Sequence, residues 1–81
     1  MKNNAHINAR LEDLFEFIDA RAYVNIFRQR KDGKEELLRS NKLYNLLADN
    51  EFIGNRSIYD ARVIGLTVTL GVVVSILIEE A

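Results

Sequence analysis

The chain has no cysteine, no proline and no tryptophan, one histidine, and four glycines that stand apart from one another. Without cysteine there is no disulfide framework, no thiol nucleophile and no thiolate metal site; a reducing compartment is compatible but not demanded, and the cytoplasm is the default expectation. Without proline no segment is compelled to break. The single histidine, His6, has neither a second imidazole nor a thiol to help it hold a metal, and it reads as an ordinary solvated side chain. Gly33, Gly54, Gly65 and Gly71 are too scattered to form a phosphate-cradling loop. An excess of charge is also missing. Eleven basic residues oppose twelve acidic ones for a net charge of −1, so no overall field draws in nucleic acid or an anionic membrane. No catalytic, cofactor-binding or metal-binding set emerges, and an enzyme is not expected.

What is present is an ordinary globular mixture, 48% apolar and 28% charged, in 81 residues. That is enough for one domain with a small core. The polar start, with no apolar run behind Lys2, is not a secretion signal; residues 1–7 are expected to form a flexible tail and the protein to stay in the cytoplasm.

Leu11, Leu14, Phe15 and Ile18 fall at helical spacing, with Asn8 placed to cap, which predicts a helix from about Ala9 to Asp19. Ala22 to Arg28 is rich in β-branched and aromatic residues and predicts a strand. Asp32-Gly33 then suits a two-residue hairpin turn into a short strand near Glu36 to Ser40. Ser40 or Asn41 can cap a second helix carrying Leu43, Leu46 and Leu47 and ending before Gly54.

The run from Val63 to Ile78 contains no charge across sixteen residues. As a helix it would span roughly 24 Å, short of the roughly 30 Å hydrocarbon layer. Ten of its residues are Val, Ile or Thr, and the even positions from Ile64 to Ile78 are apolar, while the odd ones include Gly65, Thr67, Thr69, Gly71 and Ser75. Period two belongs to a sheet. A straight strand would reach roughly 53 Å against a domain diameter of roughly 30 Å, so the run must turn back. A three-residue loop Thr69-Leu70-Gly71, with glycine in the left-handed third place, keeps even residues facing even ones and sets Val68 opposite Val72, Leu66 opposite Val74 and Ile64 opposite Ile76.

The expected fold is therefore α+β, in the order α-β-β-α-β-β, a four-stranded antiparallel sheet with two helices packed on one face. The other face of the last hairpin, with Val63 opposite Leu77, Gly65 opposite Ser75 and Thr67 opposite Val73, carries no charge. Either Asn50 to Tyr59 folds across it, or Val63, Thr67, Val73 and Leu77 form an interface for a second copy or another protein.

Charge is unevenly spread. Arg28, Arg30, Lys31, Lys34, Arg39 and Lys42 lie within fifteen residues, and the hairpin Arg28, Arg30, Lys31, Lys34, beside Tyr23 or Phe27 as a stacking ring, is the alternative reading as a nucleic-acid contact. Glu35 and Glu36 weaken it. Glu12, Glu16 and Asp19 form an acidic stretch suited to a solvated face or to a basic partner. A second alternative is a tail-anchored membrane protein, with Arg56 and Arg62 on the cytoplasmic side of the final run.

The stretch Ile7-Asn8-Ala9-Arg10-Leu11-Glu12-Asp13-Leu14-Phe15-Glu16-Phe17-Ile18-Asp19, the Asp-Gly turn, the Leu43 to Leu47 helix, and Asn55-Arg56 followed by alternating valines and isoleucines resemble small uncharacterised proteins encoded by phages and prophages of Gram-positive bacteria. The final hairpin departs from that pattern in being more apolar. The resemblance implies a small accessory protein that acts by dimerising or by docking on a host or phage protein, the class to which anti-CRISPR inhibitors belong. It assigns no reaction and no site residues.

Overall fold

Alternation in Tyr23-Val24-Asn25-Ile26-Phe27 sets the first strand. In the computed structural model, which describes residues 9–70 and 72–79, it becomes β1 (Tyr23–Gln29), with Val24 and Ile26 buried on one side. β1 pairs antiparallel with β2 (Glu35–Lys42). The connection is longer than the two-residue turn the sequence suggests. Arg30 N–H donates to the Lys34 carbonyl at 2.7 Å and Gly33 N–H to the Arg30 carbonyl at 3.0 Å, closing a three-residue loop, Lys31-Asp32-Gly33. Gly33 takes its left-handed third place at φ 88°, and Asp32 Oδ1 accepts the Lys34 N–H at 3.0 Å.

The final run does turn back, as β3 (Val63–Thr69) and β4 (Val73–Glu79), paired antiparallel. The molecule measures 33 × 27 × 20 Å, too small for a straight strand of roughly 53 Å. Among the described residues no helix is long and apolar enough to cross a membrane, and the segment considered as a helical anchor consists of these two strands. The register differs from the expected one by two residues: Leu66 faces Ile76, Val68 faces Val74, and Thr67 faces Ser75. Leu70, at φ 56°, is left-handed, and the Val72 N–H closes on the Thr69 carbonyl at 3.3 Å. Gly71, expected to supply the left-handed turn position, lies outside the described residues, as do Asn8 and the tail 1–7.

The strand order is β2-β1-β4-β3, with β1 and β4 parallel, so the sheet is mixed and the fully antiparallel expectation is corrected. The reason lies between the hairpins. Residues 43–62 carry the chain back along the sheet before β3 begins, so β4 returns beside β1 in the same direction, as a crossover does.

The helices are short. α1 (Leu11–Leu14) tightens into a 3-10 turn, Phe15–Phe17, and Ile18 is already extended. The helix expected to reach Asp19 therefore ends earlier. It starts after Arg10, whose N–H donates to Asp13 Oδ2 at 3.1 Å. β2 runs directly into α2 (Leu43–Leu47), with Lys42 rather than Ser40 or Asn41 at the cap position. Then α3 (Asn50–Gly54) and α4 (Arg56–Tyr59) follow, so the single helix expected to end before Gly54 is divided and helix continues beyond it. Asp49 Oδ1 caps α3 by accepting from the N–H groups of Glu51 and Phe52, at 3.0 and 3.2 Å.

These helices place Leu11, Phe15, Leu43, Leu46, Phe52 and Ile58 in one core with Val24, Ile26, Val63, Val74, Ile76 and Ile78. Phe15, Phe52 and Tyr59 form a ring cluster with centroids 5.7 to 6.2 Å apart. Segment 50–59 thus spends its apolar residues on the core and not on the opposite side of the sheet.

Candidate functional site

Strand parity fixes what the other face of the sheet contains. With Val24, Ile26, Val74 and Ile76 turned to the core, the alternate residues point away, and pairing aligns them in rows. One row runs Lys42, Tyr23, Val73, Thr69; the next Ser40, Asn25, Ser75, Thr67; the third Leu37, Phe27, Leu77, Gly65. Tyr23 and Leu37 are exposed, and Phe27, Val73 and Leu77 half-buried. In the polar row Ser40 Oγ donates to Asn25 Oδ1 at 2.6 Å, which ties β2 to β1.

A notch of about 200 Å³ opens among Phe27, Gly65, Thr67, Ser75 and Leu77. Its floor depends on Gly65: a Cβ there would lie 3.3 Å from Leu77 Cβ, closer than side chains normally pack.

Of the four residues the sequence assigns to this face, Thr67, Val73 and Leu77 lie on it. Val63 does not, and that assignment is corrected. A bulge between Val63 and Gly65 inserts Ile64 as an extra residue, shifting the parity so that Val63 is 0% exposed in the core. The same register shift replaces the expected Gly65/Ser75 pair with Gly65/Leu77 and Thr67/Ser75. Tyr23, Phe27 and Leu37 join the face without having been assigned to an interface. The signal was available in β1, where the parity that buries Val24 and Ile26 must turn Tyr23 and Phe27 outward.

The basic hairpin is divided. Arg28 follows the core-side parity and its Nη2 donates to Glu36 Oε1 at 2.8 Å, which holds the Glu36 carboxyl below its usual range. Arg28 Nε is buried and finds no hydrogen-bond acceptor among the described residues. Arg30 lies 3.6 Å from Glu36 and 3.9 Å from Asp32. Lys31 and Lys34 sit at the exposed loop. Tyr23 and Phe27 are therefore on the opposite face from Arg28, and both Arg28 and Arg30 face carboxylates of their own hairpin.

The acidic stretch is likewise answered within the chain. Arg56 approaches Glu12 at 3.6 Å, and Arg21 binds both oxygens of Asp19, at 3.2 and 3.1 Å, lowering its pKa. Glu16 is exposed. Burial, reinforced by Glu12, raises the pKa of Tyr59 above 10.0. Among the described residues no three of His, Cys, Asp and Glu gather as metal ligands; His6 lies outside them. No protein-family model, curated protein or solved structure matches the chain.

Proposed function

We propose that the chain is a non-enzymatic protein-binding module that docks on another protein through the open sheet face, with Tyr23, Phe27, Leu37, Val73 and Leu77 as apolar contacts and Thr67 and Asn25 as polar ones. The observation that carries this reading is the makeup of that face: rings and aliphatic side chains on either side of a row of small polar groups, on the side of the sheet away from the buried core. Aromatic side chains are enriched at protein interfaces and among the residues that carry their binding energy. Its charge argues against a phosphate backbone as the ligand. Lys42 at one end of the face is balanced by Glu35 at the other, and Glu79 pairs with Arg62 at 2.6 Å, so no net positive charge is offered to phosphates. The resemblance to small phage and prophage proteins makes a host or phage protein the class of partner.

The test is site-specific photo-crosslinking in the native host. A crosslinker at Val73 should trap one discrete protein adduct that a crosslinker at the helix-side Leu47 does not, and Phe27→Lys should abolish it. Adducts of equal yield from both positions, or indifference to Phe27→Lys, would overturn the reading.

A further inference from the structure

The two edges of the sheet are built differently. β2 carries Glu35, Glu36, Arg39 and Lys42 within eight residues and a bulge at Leu38, the devices that discourage another strand from adding. β3, Val-Ile-Gly-Leu-Thr-Val-Thr, has no charge, no proline and, from Gly65 to Thr69, no irregularity. Among the described residues, the stretch 9–11 pairs antiparallel with 61–63, through the Arg10/Arg62 bridge and the Val63 N–H donating to the Ala9 carbonyl at 2.9 Å, and so reaches only the first position of β3. Beyond that contact, alternate N–H and C=O groups of β3 point away from β4.

The core side of this edge is also incomplete. The 3-10 turn ends at Phe17, leaving Leu66 45% and Val68 56% exposed above an apolar groove shared with Leu14, Ile18 and Val74. Phe17 stands at its rim, 84% exposed.

We infer that two copies of this chain join edge to edge through β3, antiparallel about a twofold axis at Thr67, to form one eight-stranded sheet. The occupant is a second copy because the segment is complementary to itself. Centred on Thr67, the pairing uses only the regular part of the strand and sets Leu66 against Val68 of the partner subunit, and the reverse, on the core side. The two exposed apolar patches then meet across the axis, as an isologous interface requires. On the other side Thr67 meets Thr67 of the partner subunit, a favourable cross-strand pair, and the polar row Ser40, Asn25, Ser75, Thr67 continues into the second copy. No charge of β3 is brought against a like charge. The inference stands apart from the docking reading, since it uses the edge and the core-side patch rather than the open face.

Because the chain has no cysteine, a single one reports cleanly. In the full-length protein, sedimentation equilibrium should give twice the 9.3 kDa monomer mass, and Leu66→Lys should raise the dimer dissociation constant at least tenfold while retaining the circular dichroism spectrum. Thr67→Cys should oxidise to a covalent dimer at least tenfold faster than Leu37→Cys on the charged edge, so a charge variant that fails to fold does not decide the matter. Phe27→Lys, which disables the docking face, should leave the dimer intact. A monomer mass at 100-fold differing concentrations, or equal oxidation rates at the two positions, would overturn it. So would contacts between residues 1–8 and β3 within one monomer.

Discussion

Phe52 discriminates most sharply between a segment 50–59 folded across the far face of the sheet, which the sequence allows, and the core helices that the structure contains. It is 0% exposed, stacks edge-on to Tyr59 at 5.7 Å and tilted to Phe15 at 6.2 Å, and has the Arg39 guanidinium 5.9 Å from its ring centroid. Truncating a fully buried phenylalanine costs about 3 to 5 kcal/mol, the sum of lost transfer energy and the cavity left behind. For a domain of this length total stability is about 4 to 12 kcal/mol, so Phe52→Ala should remove about a quarter of it or more. With a urea slope of about 1 kcal/mol per molar, the midpoint should fall by about 3 to 5 M. Urea titrations followed by circular dichroism read this directly. Tyr44→Ala, which deletes an exposed ring, is the control and should stay within about 1 kcal/mol of wild type. A double-mutant cycle of Phe52→Ala with Tyr59→Ala should show a coupling of about 0.5 to 1.5 kcal/mol. If Phe52→Ala costs less than about 1 kcal/mol, segment 50–59 is not part of the core, and the open face loses its argument for being uncovered.

Two further outcomes follow from single side chains. Asp49→Ala removes the acceptor for two N–H groups at the start of α3, and should cost about 1 kcal/mol in the same titration, with Asp49→Asn or Asp49→Ser restoring most of it. Asp19, held below its ordinary 3.8 first by the Arg21 side chain and then by the Arg21 N–H, should titrate below that value by carboxyl-carbon NMR and return toward it in Arg21→Ala. The sign follows from the depressed folded value: whatever stability this pair contributes is present above pH 3.8 and is lost as pH falls through the folded pKa.

Legibility in the sequence followed how local each signal was. Period two in Val63 to Ile78 revealed strands and a reversal because side-chain alternation is a property of the backbone alone. The Asp-Gly pair marked the first hairpin, yet whether its loop held two residues or three depended on the Asp32 side chain bonding Lys34. Helical spacing of Leu11, Leu14 and Phe15 was correct as far as it went, but Ile18 left the helix where Asp19 and Arg21 close on each other. Phe52 and Ile58 carried no clear periodicity, since helices of four or five residues are too short to display one, and so their place in the core went unread.

The sequence by itself determined the class of the molecule: an α+β chain without thiol chemistry, with an uncharged closing hairpin and Thr67, Val73 and Leu77 on the side away from the core. Only the tertiary structure decided that β4 lies parallel to β1, that Val63 turns inward, and that Tyr23 and Phe27 share a face with Leu77. Each of these depends on a contact between residues distant in sequence, a crossover or a one-residue bulge, whose free energy comes from the packing of the whole sheet and leaves no trace in any local pattern.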